Sequence, residues 1–263
     1  MLVLVVGGTG GLGRLAVGEL AARGHSVRVL SRQRTPSTFS TPEVQSVRGD
    51  LVSGEGVAAA VKGVDAVLDT VNANRSAGSV MVDGTRGLLA AAANSGVRHV
   101  VGIGIVGAEA IAPLVPYYRV KVAQEQVLRA GDVPWTLLRA TQFHDFVASM
   151  VSGLARLPLL PVPGIRYQPV DRGEVAVALV DAVEGSPSGR LPDFGGPQAL
   201  PWIDFARSWL RAQGRSQRVV NIPLPTKYGR RLREGALCNP DRAVGRLTFS
   251  DWAEAQVQGD LHA

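Results

Sequence analysis

The sequence predicts an α/β fold, a doubly wound parallel sheet with a small C-terminal substrate-binding cap. Three observations carry that prediction. Short apolar runs alternate with helical patterns from Met1 to Arg139, which is how a parallel sheet covered by helices on both faces reads. The first run passes directly into a glycine-rich turn and a helix. From Ala140 the alternation fades into proline-punctuated pieces that suit an appendage.

Met1–Val6 is the first strand, and Gly7-Gly8-Thr9-Gly10-Gly11-Leu12-Gly13 follows at once. Arg14–Arg23 is a helical pattern closed by Gly24. Side chains in such a turn would hold backbone N–H groups away from a pyrophosphate, whereas the helix start behind it offers free donors and the positive end of a dipole. Gly7, Thr9, Gly10, Gly11, Leu12 and Gly13 are therefore the expected diphosphate cradle of a Rossmann-type sheet. The spacing Gly7-x-x-Gly10-x-x-Gly13 is one residue longer than the simple GxGxxG fingerprint. A tight turn with no ligand is the alternative.

His25–Ser31 is the second strand. The residue just past it meets the adenosine ribose in such folds; an acid there selects NAD, an arginine NADP. Ser31-Arg32-Gln33-Arg34 offers no acid, so NADP(H) is expected over NAD(H), with Arg32 as the 2′-phosphate ligand unless Arg32 and Arg34 are simply loop charges. Arg14 could also reach the phosphate. Residues 34–43 form a polar loop, Val44–Arg48 a short strand, and Gly49-Asp50-Leu51 the next turn. Asp50 either accepts from the adenine amino group or merely forms the turn. Ser53 caps a short helix ending at Lys62-Gly63. Val64–Asp69 is the fourth strand, and the backbone from Thr70 to Asn74 should line the cofactor. A helix over Ser79–Ala93, a strand over Val97–Ile105, a loop over Gly107–Pro116, a helix over Tyr117–Ala130 and a strand over Trp135–Arg139 complete the core. His99 lies inside a strand pattern and reads as structural.

Thr141–Phe146 opens a helix to about Arg156. Leu157–Pro163 is excluded as a central strand by its prolines. Helices follow over Asp171–Glu184, Pro201–Gln213 and Phe249–Gln258, with a short strand and turn over Leu191–Pro197. The expected division is 1–140 for the nucleotide-binding core and 141–263 for a partly interleaved substrate region over the carboxyl edge of the sheet.

The net charge is +6, and residues 201–246 alone carry ten basic against three acidic side chains. No nucleic-acid-binding motif accompanies this segment, which argues against nucleic acid and leaves a solvated face, a phosphate contact or a protein partner open. Cys238 is the single cysteine, so no internal disulfide or cysteine-based metal site exists, no metal is expected, and the thiol reads as inert. No apolar run reaches the length of a membrane span. The first strand begins at residue 2 with no signal peptide before it, so a cytoplasmic protein is expected.

Tyr117 and Lys121 lie four apart in one helical pattern and share a face. A phenol beside a nicotinamide can give a proton to a carbonyl oxygen as the cofactor gives a hydride. A nearby ammonium and the oxidised nicotinamide would lower its pKa, and Lys121 would also hold the nicotinamide ribose. The glycine turn, Gly49-Asp50-Leu51, Tyr117-Tyr118-Arg119-Val120-Lys121, Trp135–Phe143 and Asp193-Phe194-Gly195-Gly196-Pro197 together resemble an atypical short-chain dehydrogenase/reductase of the NmrA-like class. The resemblance covers nearly the whole chain and is weakest after residue 200. It implies an NAD(P)-binding Rossmann core, Tyr117 and Lys121 as the catalytic pair, and a small-molecule substrate. Members of this class include reductases of quinones and of aromatic or enone metabolites, and NADP-binding regulators without turnover.

One departure matters. Active members usually carry a serine after the fifth strand, and that position falls here at Gly104. Losing an oxyanion donor costs about 100- to 1000-fold in rate unless water or Thr141 substitutes. Thr141, Phe143 and His144 are the expected substrate pocket, with His144 a second candidate acid or else a helix-start histidine facing solvent. Tyr118, Tyr167 and Trp202 supply either aromatic walls or plain core. The expected activity is NADPH-dependent reduction of a small apolar carbonyl, quinone or enone, with secondary metabolism the expected setting. A redox-sensing regulator contacting a protein partner through the basic segment, or non-redox cyclase or isomerase chemistry, stay open because of Gly104.

Overall fold

The structure, a computed structural model, describes residues 1–32, 42–154 and 157–260. Gln33, Arg34, most of the proline-punctuated loop and the expected helix end at Arg156 lie outside the described residues. In chain order the strands are β1 (Leu2–Val6), β2 (Ser26–Ser31), β3 (Val44–Arg48), β4 (Ala66–Asp69), β5 (His99–Ile105), β6 (Trp135–Ala140), β7 (Leu159–Pro163), β8 (Arg166–Tyr167), β9 (Gly189–Arg190), β10 (Leu200–Pro201) and β11 (Arg218–Ile222). The residues group into two compact units, one of Met1–Gly104, Val115–Leu138 and Arg172–Pro192, the other of Ile105–Leu114, Arg139–Asp171 and the chain from Asp193.

The first unit is built on one sheet of order β3-β2-β1-β4-β5-β6-β9. β1 pairs in parallel with β2 on one side and β4 on the other, so the strand order reverses at β1. That reversal opens a crevice at the carboxyl ends of the strands, where such sheets take ligands. Val3, Leu4 and Val5 are fully buried, as expected of a central parallel strand covered on both faces. Leu4, Val6, Val67, Met81, Leu88, Val100 and Leu137 belong to one continuous core on this sheet. The helix expected over Ser79–Ala93 comes in two parts, π-helical turns at Gly78–Asp83 and an α-helix at Gly84–Asn94. The change of winding falls where Gly84 meets Leu51, whose Cβ would lie 2.8 Å from a Cβ on Gly84.

In the second unit β7 pairs in parallel with β11, and β8 antiparallel with β10. The proline-rich stretch forms a strand but, as expected, not a central one: it lies in a two-stranded sheet where missing N–H donors are tolerated. β8, β10, β11 and the Lys227–Arg233 helix have no counterpart in the sequence reading, and the expected loop after Gly107 contains a helical turn, Ala108–Ile111. Helix Trp202–Ala212 buries Trp202, Phe205, Ala206 and Leu210. Phe205 meets Phe249 edge to face at 5.3 Å, and Trp209 stacks on Trp252 at 5.8 Å.

His144, which starts the helix His144–Leu154, does not face solvent. It is 1% exposed and packs edge-on against Phe249. Its Nε2 bonds to the Leu247 carbonyl at 3.0 Å, and its Nδ1 has no partner, which places the proton on Nε2. His99 is buried in β5 against the Thr136 hydroxyl at 2.8 Å. Burial pushes both imidazoles below the ordinary value of 6.5, against weaker opposing pulls that for His144 include Asp171 and Asp145.

A depressed folded pKa means the unfolded chain binds more protons just below 6.5, so stability rises with pH there and is lost as pH falls through the window. The thermal midpoint should therefore drop between about pH 7 and about pH 5.5, above the range where carboxylates titrate. The double variant His99→Gln, His144→Gln should flatten that dependence. A wild-type midpoint constant over this range would contradict the assignment.

Candidate functional site

The first βα turn folds back on itself. Gly7 adopts φ +79°, a conformation that glycine takes without strain. The Gly10 N–H donates to the Gly7 carbonyl at 2.9 Å, and Arg14 N–H to the Gly10 carbonyl at 2.9 Å. A Cβ on Gly13 would lie 2.2 Å from the Gly7 carbonyl oxygen, so only glycine lets the helix Gly11–Ala22 start this close to β1. No side chain caps that helix and its first turn carries no acid. Its leading N–H groups and the positive end of its dipole are left for an anion.

Beside the turn lies a cavity of about 1220 Å³ at the carboxyl ends of β1 to β4. Gly7, Thr9, Arg14, Arg32, Asp50 and Leu51, all singled out by the sequence, meet on its walls. Asn72 lines it too, within the Thr70–Asn74 segment expected there, and so do Arg75 and Ser76, which were not anticipated. Gly10, Gly11, Leu12 and Gly13 form the adjoining turn and do not line the cavity itself. Among the described residues the lining thus carries three arginines, Arg14, Arg32 and Arg75, against one acidic residue, Asp50. The Oδ1 of Asp50 accepts from the Val52 N–H at 2.8 Å, so the residue builds its own turn. The volume, the uncapped helix and the cationic lining suit a dinucleotide with its phosphates, and the residues present fit NAD(P)H.

Tyr117 and Lys121 share a face of the helix Pro116–Ala130 but not a depth. The Tyr117 hydroxyl donates to Asn72 Oδ1 at 3.0 Å, which ties it to the cavity wall. Burial pushes the phenol above its ordinary value, with the Asn72 bond pulling against that, so the depression expected from an adjacent ammonium is absent. Lys121 is 4% exposed, and its Nζ donates to the Ile103 carbonyl at 3.1 Å and to Gln124 Oε1 at 2.8 Å. Gln124 in turn donates to Asp69 Oδ2 at 3.3 Å, the Thr85 hydroxyl reaches the same oxygen at 3.0 Å, and the Val71 N–H donates to Oδ1 at 3.0 Å. Burial pushes Asp69 up and Lys121 down, and their opposite charges restrain both shifts. Three donors aimed at Asp69 serve its ionised form. Gly104, next to the carbonyl that Lys121 holds, is buried in β5.

The other expected pocket residues sit in the second unit. Thr141 is 3% exposed and its hydroxyl oxygen accepts from the Gly196 N–H at 3.1 Å. Phe143 is half-buried and bridges to Val170, while His144 is enclosed as described. Tyr167 and Trp202 are buried against each other at 6.1 Å as core. In the first unit, Tyr118 stands edge-on to Tyr117 at 5.5 Å. Burial pushes the Cys238 thiol up to about 11, which keeps it unreactive. Arg207, Arg211 and Arg215 of the basic segment line a shallow depression of about 420 Å³. Among the described residues no cluster of three or more metal-ligating side chains occurs, and no helix is long and apolar enough to cross a membrane.

The sequence profile of the NAD(P)H-binding family matches residues 7–185, and the chain belongs to that family. The chain is 30% identical to a (4-alkanoyl-5-oxo-2,5-dihydrofuran-3-yl)methyl phosphate reductase of Streptomyces griseus over 98% of both chains. It is 32% identical to the photosystem II assembly factor Ycf39 of a Synechocystis species, over 85% of this chain and 71% of that protein. Among solved structures, an Escherichia coli NADPH-dependent quinone oxidoreductase complexed with NADPH superposes with TM-score 0.80 at 15% identity, covering 97% of this chain and 99% of that one. A Citrobacter triphenylmethane reductase complexed with NADP(H) gives 0.78 at 20%, covering 98% and 100%. At those identities the structures speak to the fold, which is the Rossmann-type sheet expected. The protein is an atypical short-chain dehydrogenase/reductase of the oxidoreductase type.

Lys121→Met should destabilise the protein by about 3 kcal/mol, because Asp69 and Gln124 lose a buried cation. Thermal or denaturant unfolding reads this directly. A variant of unchanged stability would mean that Lys121 does not occupy the interior position.

Proposed function

We propose that the protein is an NADPH-dependent reductase of a small, doubly activated enone, with Tyr117 as the proton donor. The observation that carries this reading is the hydrogen bond of the Tyr117 hydroxyl to Asn72, a residue that lines the arginine-rich cavity. When bound, NADPH supplies a hydride. The name of the Streptomyces griseus relative describes a ring double bond flanked by a lactone carbonyl and an alkanoyl carbonyl. Hydride addition to the far carbon of such a bond spreads the new negative charge over two carbonyl oxygens, and one proton at the near carbon completes the reduction. The charge that the protein must stabilise is then smaller than for a lone alkoxide. Gly104, which offers no hydroxyl, is tolerable for this substrate class and costly for a simple ketone. Substrate recognition is assigned to residues from 141 onward other than the Arg172–Pro192 segment of the first unit, with Phe143 its half-buried aromatic contact.

NADP preference rests on Arg32 past β2, with no acidic residue in Ser31-Arg32-Gln33-Arg34. Arg32→Ala should raise the Kd for NADPH about tenfold or more and leave that for NADH unchanged, as read by cofactor fluorescence titration. Equal effects on both cofactors would remove Arg32 from the 2′-phosphate.

The direct test of the activity is NADPH oxidation with alkanoyl-butenolides, quinones, simple enones and aromatic ketones. Turnover is expected with the alkanoyl-butenolide and not with the ketones, and Tyr117→Phe should lower kcat about tenfold to 100-fold while NADPH still binds. The likeness to a photosystem II assembly factor favours a second reading, a nucleotide-binding protein that acts through a protein partner. Tight NADPH binding with no oxidation of any of these compounds would select it.

A further inference from the structure

The helix Gly11–Ala22 lies beside the helix Arg172–Glu184, and the two run in the same direction. At their C-terminal ends, Arg23 donates to Asp181 and Glu184 at 2.7 Å each. At their N-terminal ends, the Arg172 guanidinium lies against Gly11 of the glycine turn: a Cβ there would sit 1.9 Å from Nη1 and 2.8 Å from Cζ. Two helix starts are therefore side by side, each equivalent to about half a positive charge, with a full guanidinium charge between them. The second helix has Asp171 before it and Glu174 in its first turn, whereas the first has no acid and no capping side chain. The positive corner on the first helix is met by nothing that its own turn supplies.

We infer that Arg172 is a cofactor-binding residue, a second wall of the diphosphate site that adds a charge-assisted hydrogen bond to the anion cradled by the first helix. This rests on the dinucleotide reading of the glycine turn. It also gives Gly11 a reason of its own, since any side chain there would displace the guanidinium. Arg172 and Arg32 then divide the cofactor between them, Arg172 taking the diphosphate common to NADPH and NADH, and Arg32 the 2′-phosphate that only NADPH carries.

The test is the Kd of NADPH, NADH, ADP-ribose and 2′-AMP for the wild type and for Arg172→Gln, Arg172→Lys and Gly11→Ala, with thermal midpoints measured alongside. Arg172→Gln is expected to weaken NADPH, NADH and ADP-ribose alike, by about tenfold, and to leave 2′-AMP unchanged. Arg172→Lys, which keeps the charge, should recover part of the loss, and serves in place of Arg172→Gln if that variant does not fold. Gly11→Ala should weaken the same three ligands. Unchanged ADP-ribose affinity in the folded Arg172 variants, with only the thermal midpoint lowered, would overturn the inference and leave Arg172 as packing between the helices. A wild type that binds none of the dinucleotides would bring down the dinucleotide reading and this inference with it.

Discussion

The structure depends first on the contact between the Gly7 carbonyl and the backbone of Gly10 and Gly13. That carbonyl accepts from Gly10 and lies where a Cβ on Gly13 would fall. The helix is thereby drawn directly over the end of β1, with its first N–H groups uncapped. A longer turn would let a side chain cap the helix and close the anion site. The same closeness puts Gly7 against the end of β4, where its own Cβ would be 2.8 Å from the Thr70 carbonyl carbon. The turn and the crevice at the strand reversal are consequences of one packing constraint.

The buried network from Asp69 through Thr85 and Gln124 to Lys121 is the second constraint. It joins the end of β4 to the Ile103 carbonyl of β5 and to the helix that carries Tyr117. Taking two charges out of water is costly, and the three donors on Asp69 together with the two bonds from Lys121 offset that cost. The consequence for chemistry is that Tyr117 answers to Asn72. Four-residue spacing fixes which face two side chains share and says nothing of how deep each is placed. The Tyr117 hydroxyl ends at Asn72, which lines the cavity, and the Lys121 ammonium is enclosed in the interior.

The alternation through residue 139 was legible because its causes are local. Parallel strands buried on both faces read as unbroken apolar runs, and glycines such as Gly24, Gly96 and Gly131 follow the helices they end. The site was legible where its residues follow a strand directly, as Arg32 and Asp50 do. It was not legible at Arg75, whose loop composition is ordinary, nor in the pairing of the Asn72 side chain with Tyr117, nor at Arg172, which meets Gly11 only once two distant helices pack. After Ala140 the signal failed for a different reason. β8, β9 and β10 have two residues each, and β7 finds its partner in β11 more than fifty residues later. Such strands exist through their partners and leave no period in the sequence.

By itself the sequence determined the strand–turn–helix order, the glycine cradle and the excess of arginine over acid beside it, because each follows from neighbouring residues and backbone sterics. Tertiary structure decided the depth of Lys121, the partner of Tyr117, the enclosure of His144 and the position of Arg172. Those depend on burial and on contacts between distant segments. Burial sets which charges lose water and which groups must supply the hydrogen bonds in its place, and that balance exists only in the packed chain.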